Sequence, residues 1–116
     1  MEGRTMHHQM SAEMQECMDA CHQCHVTCLS MAVNHCLEAG GRHAEPQHIK
    51  IMLDCAQICS VAMDFMARGS EHHRHICREC AEICRACAQS CQGLDGMEDC
   101  VQACLRCAEA CEKMAA

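Results

Sequence analysis

The sequence predicts an all-α protein, an antiparallel up-down-up-down four-helix bundle with a Cys-lined core. Three observations carry that expectation. Cysteines recur at alternating spacings of three and four residues, which holds them on one narrow stripe of a helix with 3.6 residues per turn. Helix breakers cluster at only a few places, around Gly40-Gly41 and Pro46, at Gly69 and at Gly93, and leave four long uninterrupted stretches. No stretch alternates apolar and polar residues as a half-buried strand would, and no Rossmann or P-loop glycine pattern is present.

The elements follow in order. Residues 1–10 read as a flexible tail, with Met6, His7, His8 and Met10 as soft or borderline ligands, and residues 11–116 as the bundle. Ser11 is a good N-cap for the first helix, with Glu13 in the first turn, and Gly40-Gly41 stops it after about Glu38. Its stripe is Met10, Met14, Cys17, Cys21, Cys24 and Cys28. Beyond Cys28 the stripe passes Met31 or Ala32 and reaches His35 and Cys36, where Cys36 stands slightly off the register. Pro46 suits the first position of the second helix, which runs to about Arg68 with the stripe Met52, Cys55, Cys59, Met63 or Ala62, and Met66. Ser70 is expected to cap the third helix, which carries Cys77, Cys80, Cys84, Cys87 and Cys91 and ends at Gly93. Asp95 with Glu98 resembles a capping box for the fourth, with Met97, Cys100, Cys104, Cys107, Cys111 and Met114. Short connections make neighbouring helices antiparallel.

Composition narrows the chemistry. The chain has 116 residues, enough for one domain, and a formal net charge of −7, which argues against a nucleic-acid partner because phosphate binding needs a basic face. Its 16 cysteines exceed the share of roughly 8–10% that marks a disulfide scaffold or a metal protein. Trp and Tyr are absent and Phe occurs once, so Cys and the 11 Met must fill much of the core. A secreted disulfide scaffold would be loop-rich and carry a signal peptide. Here the start, Met1-Glu-Gly-Arg-Thr-Met6, has no apolar h-region, and no run is apolar enough to span a membrane. The expected setting is the reducing cytoplasm, with thiols free or metallated and no membrane association.

The unit C-x3-C-x2-C-x3-C occurs three times, at Cys17–Cys28, Cys80–Cys91 and Cys100–Cys111, with a shorter version at Cys55–Cys59. One seam cysteine is ordinary apolar filler. Sixteen on four seams line a tube with sulfur. Thiolate and thioether donors select soft ions such as Cu(I), whereas structural zinc wants closed tetrahedral sets. One monovalent ion per thiolate also neutralises the row as it fills, avoiding a buried cluster of bare negative charge. The expected ligands are all the cysteines, Cys36 included, and the cofactor is Cu(I), several ions per monomer. A ferredoxin-type cysteine run and a βαβ setting for a thioredoxin-like CxxC are both missing. A zinc or cadmium buffer and an iron–sulfur or dithiol redox protein remain the alternatives.

Antiparallel packing gathers Met10, Met14, Met63, Met66, Met114 and the histidines His72, His73 and His75 at one end. It gathers His35, Cys36, His48, Met52, Cys91 and Met97 at the other. A Met-rich mouth at the first end would pass ions to the thiols. His22 and His25 flank the seam and are expected at the surface or between subunits. Ile51, Ile58 and Phe65, with Ile76, Ile83, Val101 and Leu105, form apolar shoulders beside the cysteines, suited to packing between helices or between subunits.

These rows, with Leu53-Asp54-Cys55-Ala56-Gln57-Ile58-Cys59 and Cys77-x2-Cys80-Ala81-Glu82-Ile83-Cys84-x2-Cys87, resemble the bacterial copper storage proteins, in particular their cytosolic branch. The resemblance spans about residues 11–114. It implies a four-helix bundle that stores many Cu(I) ions on inward thiolates, without enzymatic activity, and assembles as a homotetramer. Copper ions and a copper chaperone are the expected partners. Some cytosolic members carry histidines in the loop between helices 3 and 4. This chain has Gln92-Gly-Leu-Asp-Gly-Met97 there, which makes its other His-bearing ends the candidate entry points.

Overall fold

The computed structural model describes residues 10–116; residues 1–9, and with them most of the expected tail and the ligands proposed there, lie outside the described residues. Helix α1 (Ala12–Ser30) continues through wider π turns (Met31–Cys36) into a last turn of α-helix, α2 (Leu37–Ala39). A 3₁₀ turn (Gly41–Ala44) leads to α3 (Pro46–Ala67), followed by α4 (His73–Cys91) and α5 (Glu98–Ala115). The result is four helical rods, and no strand among the described residues. Helix α1 packs on α3 and α5, and α4 packs on α3 and α5, so the rods stand at the corners of a square. This is the antiparallel bundle the seams predict.

Local chemistry sets the ends. Ser11 caps α1 as expected, its Oγ accepting the Met14 N–H at 3.1 Å. Pro46 opens α3, where its missing N–H costs no helical bond. At the other end of α3, Gly69 has φ +67°, a left-handed conformation that favours glycine. That geometry lets Gly69 N–H reach the Met66 carbonyl at 3.1 Å and Ser70 N–H reach the Phe65 carbonyl at 3.0 Å. Ser70 therefore finishes α3 and does not cap α4. Its Oγ and carbonyl receive the His72 and His73 N–H groups in the turn beyond, and α4 begins at His73.

The expected capping box of the last helix also fails. Glycines at 93 and 96, with φ +83° and +79°, turn the chain so that Met97 flanks α5 and enters the core. Asp95 is left outside the helix. Its carbonyl accepts His43 Nε2 at 2.8 Å, tying this turn to the α2–α3 connection.

The core is built of small side chains. All sixteen cysteines are buried, along with Met52, Met66, Met97 and alanines such as Ala32, Ala62 and Ala108. Ile51, Ile58, Ile76, Ile83 and Val101 pack half-buried against it. Phe65 sits under the Arg68 guanidinium, 4.4 Å from the ring centre. The most exposed apolar side chains, Val26, Val33 and Leu37, with Leu29, lie on the first rod, outside the shoulders expected from sequence.

Candidate metal centre

Each rod presents sulfur inward for a local reason, the three-four spacing, but the clusters arise from the way the rods stack. Cys24 Sγ lies 3.6 Å from Cys55, 3.8 Å from Cys104 and 3.9 Å from Cys28. Cys59 Sγ lies 3.7 Å from Cys107 and 3.8 Å from both Cys80 and Cys84. Cys55 meets Cys84 at 3.6 Å, and Cys107 meets Cys21 at 3.6 Å. Cys17 meets Cys111 at 3.5 Å. The Cys59–Cys107 contact crosses the square between rods whose backbones do not adjoin. These separations are far beyond a disulfide bond of about 2.0 Å. With metal–sulfur bonds of about 2.3 Å, sulfurs stand about 4.0 Å apart around a trigonal ion and about 3.8 Å apart around a tetrahedral one.

Five groups have all their sulfurs within 4.8 Å of one another: Cys21/Cys80/Cys107/Cys111, Cys24/Cys28/Cys55/Cys104, Cys24/Cys55/Cys59/Cys84, Cys59/Cys80/Cys84/Cys107 and Cys17/Cys77/Cys111. They overlap. Cys24 and Cys55 each serve two groups, as do Cys59, Cys80, Cys84, Cys107 and Cys111. The overlap turns separate sites into one ladder running through the bundle. Cys87, Cys91 and Cys100, buried on the same inward stripes of α4 and α5, continue the row beyond these groups. Cys36 stands at the end.

The ladder shares its protons unevenly. Hydrogen bonds from neighbouring thiols, first from Cys104, favour the thiolate of Cys24, while Cys24 and its other neighbours hold the proton on Cys104. Bonds from Cys107 first favour the Cys80 thiolate, and the Cys107 contact also leads in keeping Cys59 protonated. A bond from Cys111 acts downward on Cys77, but the Cys17 contact and burial carry it up to about 12. Cys100 behaves alike: Cys28 acts downward, while Cys91 and burial raise it to about 12. Burial alone pushes Cys36 up. Burial and the repulsion of like charges in a dry row both favour the protonated form, so most of these thiols keep their protons.

The two ends differ from expectation. At the first end Met10 is exposed, Met14, Met63 and Met114 are half-buried, and Met66 is buried. His72 and His75 stay exposed, and His73 Nδ1 donates to the Ser70 carbonyl at 2.9 Å, so the His73 ring serves the turn. At the other end His48 is buried, with 5% exposure, and its Nε2 lies 3.5 Å from Cys36 Sγ. Burial, then the nearby His43 charge, lowers its pKa against the pull of Glu45 and keeps the ring neutral. His25 is half-buried and donates Nδ1–H to the Ala56 carbonyl at 2.6 Å, which pins α1 to α3.

A family model described as copper storage protein matches residues 6–116. The chain is similar to the solved Nmul_A1745 protein from Nitrosospira multiformis, at 56% identity over 89% of this chain and 94% of that one, with a TM-score of 0.88. It is similar to the Cu(I)-bound copper storage protein BsCsp3, at 35% identity over 90% of this chain and 99% of that one, TM-score 0.81. The apo copper storage protein 3 from Bacillus subtilis gives 35% identity over 88% and 98%, TM-score 0.79. An uncharacterised cysteine-rich protein of Bacillus subtilis (strain 168), YhjQ, is 37% identical over 67 residues, 58% of this chain and about half, 55%, of that relative.

Proposed function

The chain belongs to the copper storage protein family, and from that premise we propose that it stores copper in the cytoplasm by holding many Cu(I) ions on the thiolates of its sulfur ladder. The observation that carries this reading is the overlap of the cysteine groups, in which most sulfurs belong to more than one group. Shared sulfurs suit ions of low coordination number and single charge. Each Cu(I) displaces a proton and cancels one thiolate, so the row fills without building up buried charge. The role is sequestration and detoxification, not catalysis. Among the described residues no helix is long and apolar enough to cross a membrane. A copper chaperone delivering Cu(I) and assembly of the bundles as a homotetramer complete the proposal.

Four-cysteine groups at near-tetrahedral spacing favour one other reading, a zinc or cadmium buffer. Anaerobic titration of the reduced protein with Cu(I), against a competing chelator, separates the two. Saturation above about ten ions per chain is expected, because most thiolates then carry their own ion. Saturation at about four ions or fewer, as closed tetrahedral sites would give, overturns storage.

A further inference from the structure

Cys36, His48, Met52 and Met97 form a cluster unlike any other in the molecule. Cys36 Sγ lies 3.5 Å from His48 Nε2, 3.8 Å from Met52 Sδ and 3.7 Å from Met97 Sδ. Around a tetrahedral ion with metal–sulfur bonds of about 2.3 Å and a metal–nitrogen bond of about 2.0 Å, a sulfur and a nitrogen stand about 3.5 Å apart and two sulfurs about 3.8 Å. The three separations from Cys36 Sγ match these values. The imidazole is also held for the purpose. His48 Nδ1 lies 2.7 Å from Ser90 Oγ. With the Nδ1 proton donated there, the Nε2 lone pair is left facing Cys36, the arrangement that orients a metal-bound histidine. His48 is the buried polar side chain among the described residues, and its Nε2 has only a weak thiol partner.

All four rods build the cluster: Cys36 from the π turns, His48 and Met52 four residues apart on α3, Met97 at the start of α5, and Ser90 on α4. It borders the ladder at Cys91, which lines the same cavity as Met97. A cavity of about 200 Å³, lined in part by Cys91, Gly93, Leu94, Met97 and Glu98, reaches the same end.

We propose that Cys36, His48, Met52 and Met97 make a mixed-donor Cu(I) site, separate from the all-thiolate ladder, from which stored copper is released first. The proposal rests on copper as the cargo. On binding, the Cys36 thiol gives its proton to solvent as the Cu–S bond forms; the metal stays Cu(I), and no electron moves. One thiolate offsets the ion's charge, and three neutral donors complete the shell. Sites in the ladder offer several thiolates to each ion and hold it more tightly by charge. The site is thus the weakest in the molecule, and it stands at the end of the row.

The test compares the wild type with Met52→Leu/Met97→Leu, a substitution that nearly conserves volume, and with Met18→Leu as a control, a half-buried methionine of α1 that packs beside the core. Each protein is loaded to saturation, and copper is withdrawn anaerobically by a cuprous chelator. The wild type is expected to lose about one ion per chain in a fast phase. Met52→Leu/Met97→Leu should lack that phase and saturate about one ion lower, with the control unchanged. Unchanged capacity and extraction in Met52→Leu/Met97→Leu overturns the site while leaving storage intact, whereas a wild type that fills with only about four ions overturns storage itself. Should the variant not fold, wild-type protein labelled at its methionine methyl groups decides. The Met52 and Met97 resonances must shift during the last equivalents of Cu(I), and their constancy throughout the titration overturns the site.

Discussion

A buried thiol is a small apolar side chain until it loses its proton, and then it is a soft ligand. Cys77 and Cys100 illustrate the first state. Each has its pKa carried from the ordinary 9.0 to about 12, so each is neutral filler at neutral pH. The sign of the pH effect follows. Between about pH 9 and 12 the unfolded chain gives up these protons and the folded chain keeps them, so stability is fully present below that window and is lost as pH rises through it. Thermal unfolding of the metal-free protein should show a midpoint that falls steadily across this range. Copper loading obeys the same linkage with the opposite benefit. Every thiol that binds Cu(I) near neutral pH must release its proton, so weakly buffered solutions should acidify during loading and copper affinity should rise with pH. A titration that consumes or releases no protons would mean the thiols enter as thiolates, contrary to their burial.

The first rod shows what an element can absorb. Cys28 and Cys36 are eight residues apart, one more than the seven that keep a bundle seam in register. In a regular α-helix one extra residue would swing Cys36 by about 100°. The π turns at Met31–Cys36 take up the surplus, and Cys36 is fully buried. Such turns are rare, and they tend to occur at functional sites. Here the distortion delivers a thiol to His48, Met52 and Met97. Deleting the exposed Asn34 should remove the surplus, restore an ordinary helix and leave the bundle folded, with helicity by circular dichroism and melting temperature retained. Deleting Gln23 within α1 should instead rotate everything after it by about 100° and collapse the seam. Equal damage from both deletions would contradict this account of the π turns. The off-register position of Cys36 was visible in sequence; its cure was not, because a π turn costs one residue and has no composition of its own.

At the scale of the molecule, the apolar side chains left over are the informative ones. Val26, Leu29, Val33 and Leu37 are spaced by three or four residues along the first rod and are 48, 40, 45 and 52% exposed. A chain that spends its inward faces on sulfur and alanine has few large apolar groups, and leaving these in water forgoes burial worth about 25 cal/mol per Å². They suit the contact between copies that the proposed tetramer requires. Val33→Asp with Leu37→Asp should therefore lower the mass seen by sedimentation while copper capacity per chain is unchanged. An oligomer that survives both substitutions would place its contact elsewhere, for instance on the half-buried shoulders Ile51 and Ile58.

The sequence by itself determined the four helices, the inward stripe of each and the soft chemistry of the core. These depend on the period of a helix and on side-chain type, both local properties. Its errors at Ser70 and Asp95 are local too: each residue has the chemistry of a cap, but a neighbouring glycine in the left-handed region turned the chain first. Which sulfurs face one another was decided only by the tertiary structure. Stripe spacing orients a cysteine around its own rod but says nothing of how far one rod slides along the next, and a slide of a single residue, about 1.5 Å, is enough to change partners. The same packing set His48 against Cys36 and kept His72 and His75 away from the core, a choice that no spacing along the chain encodes.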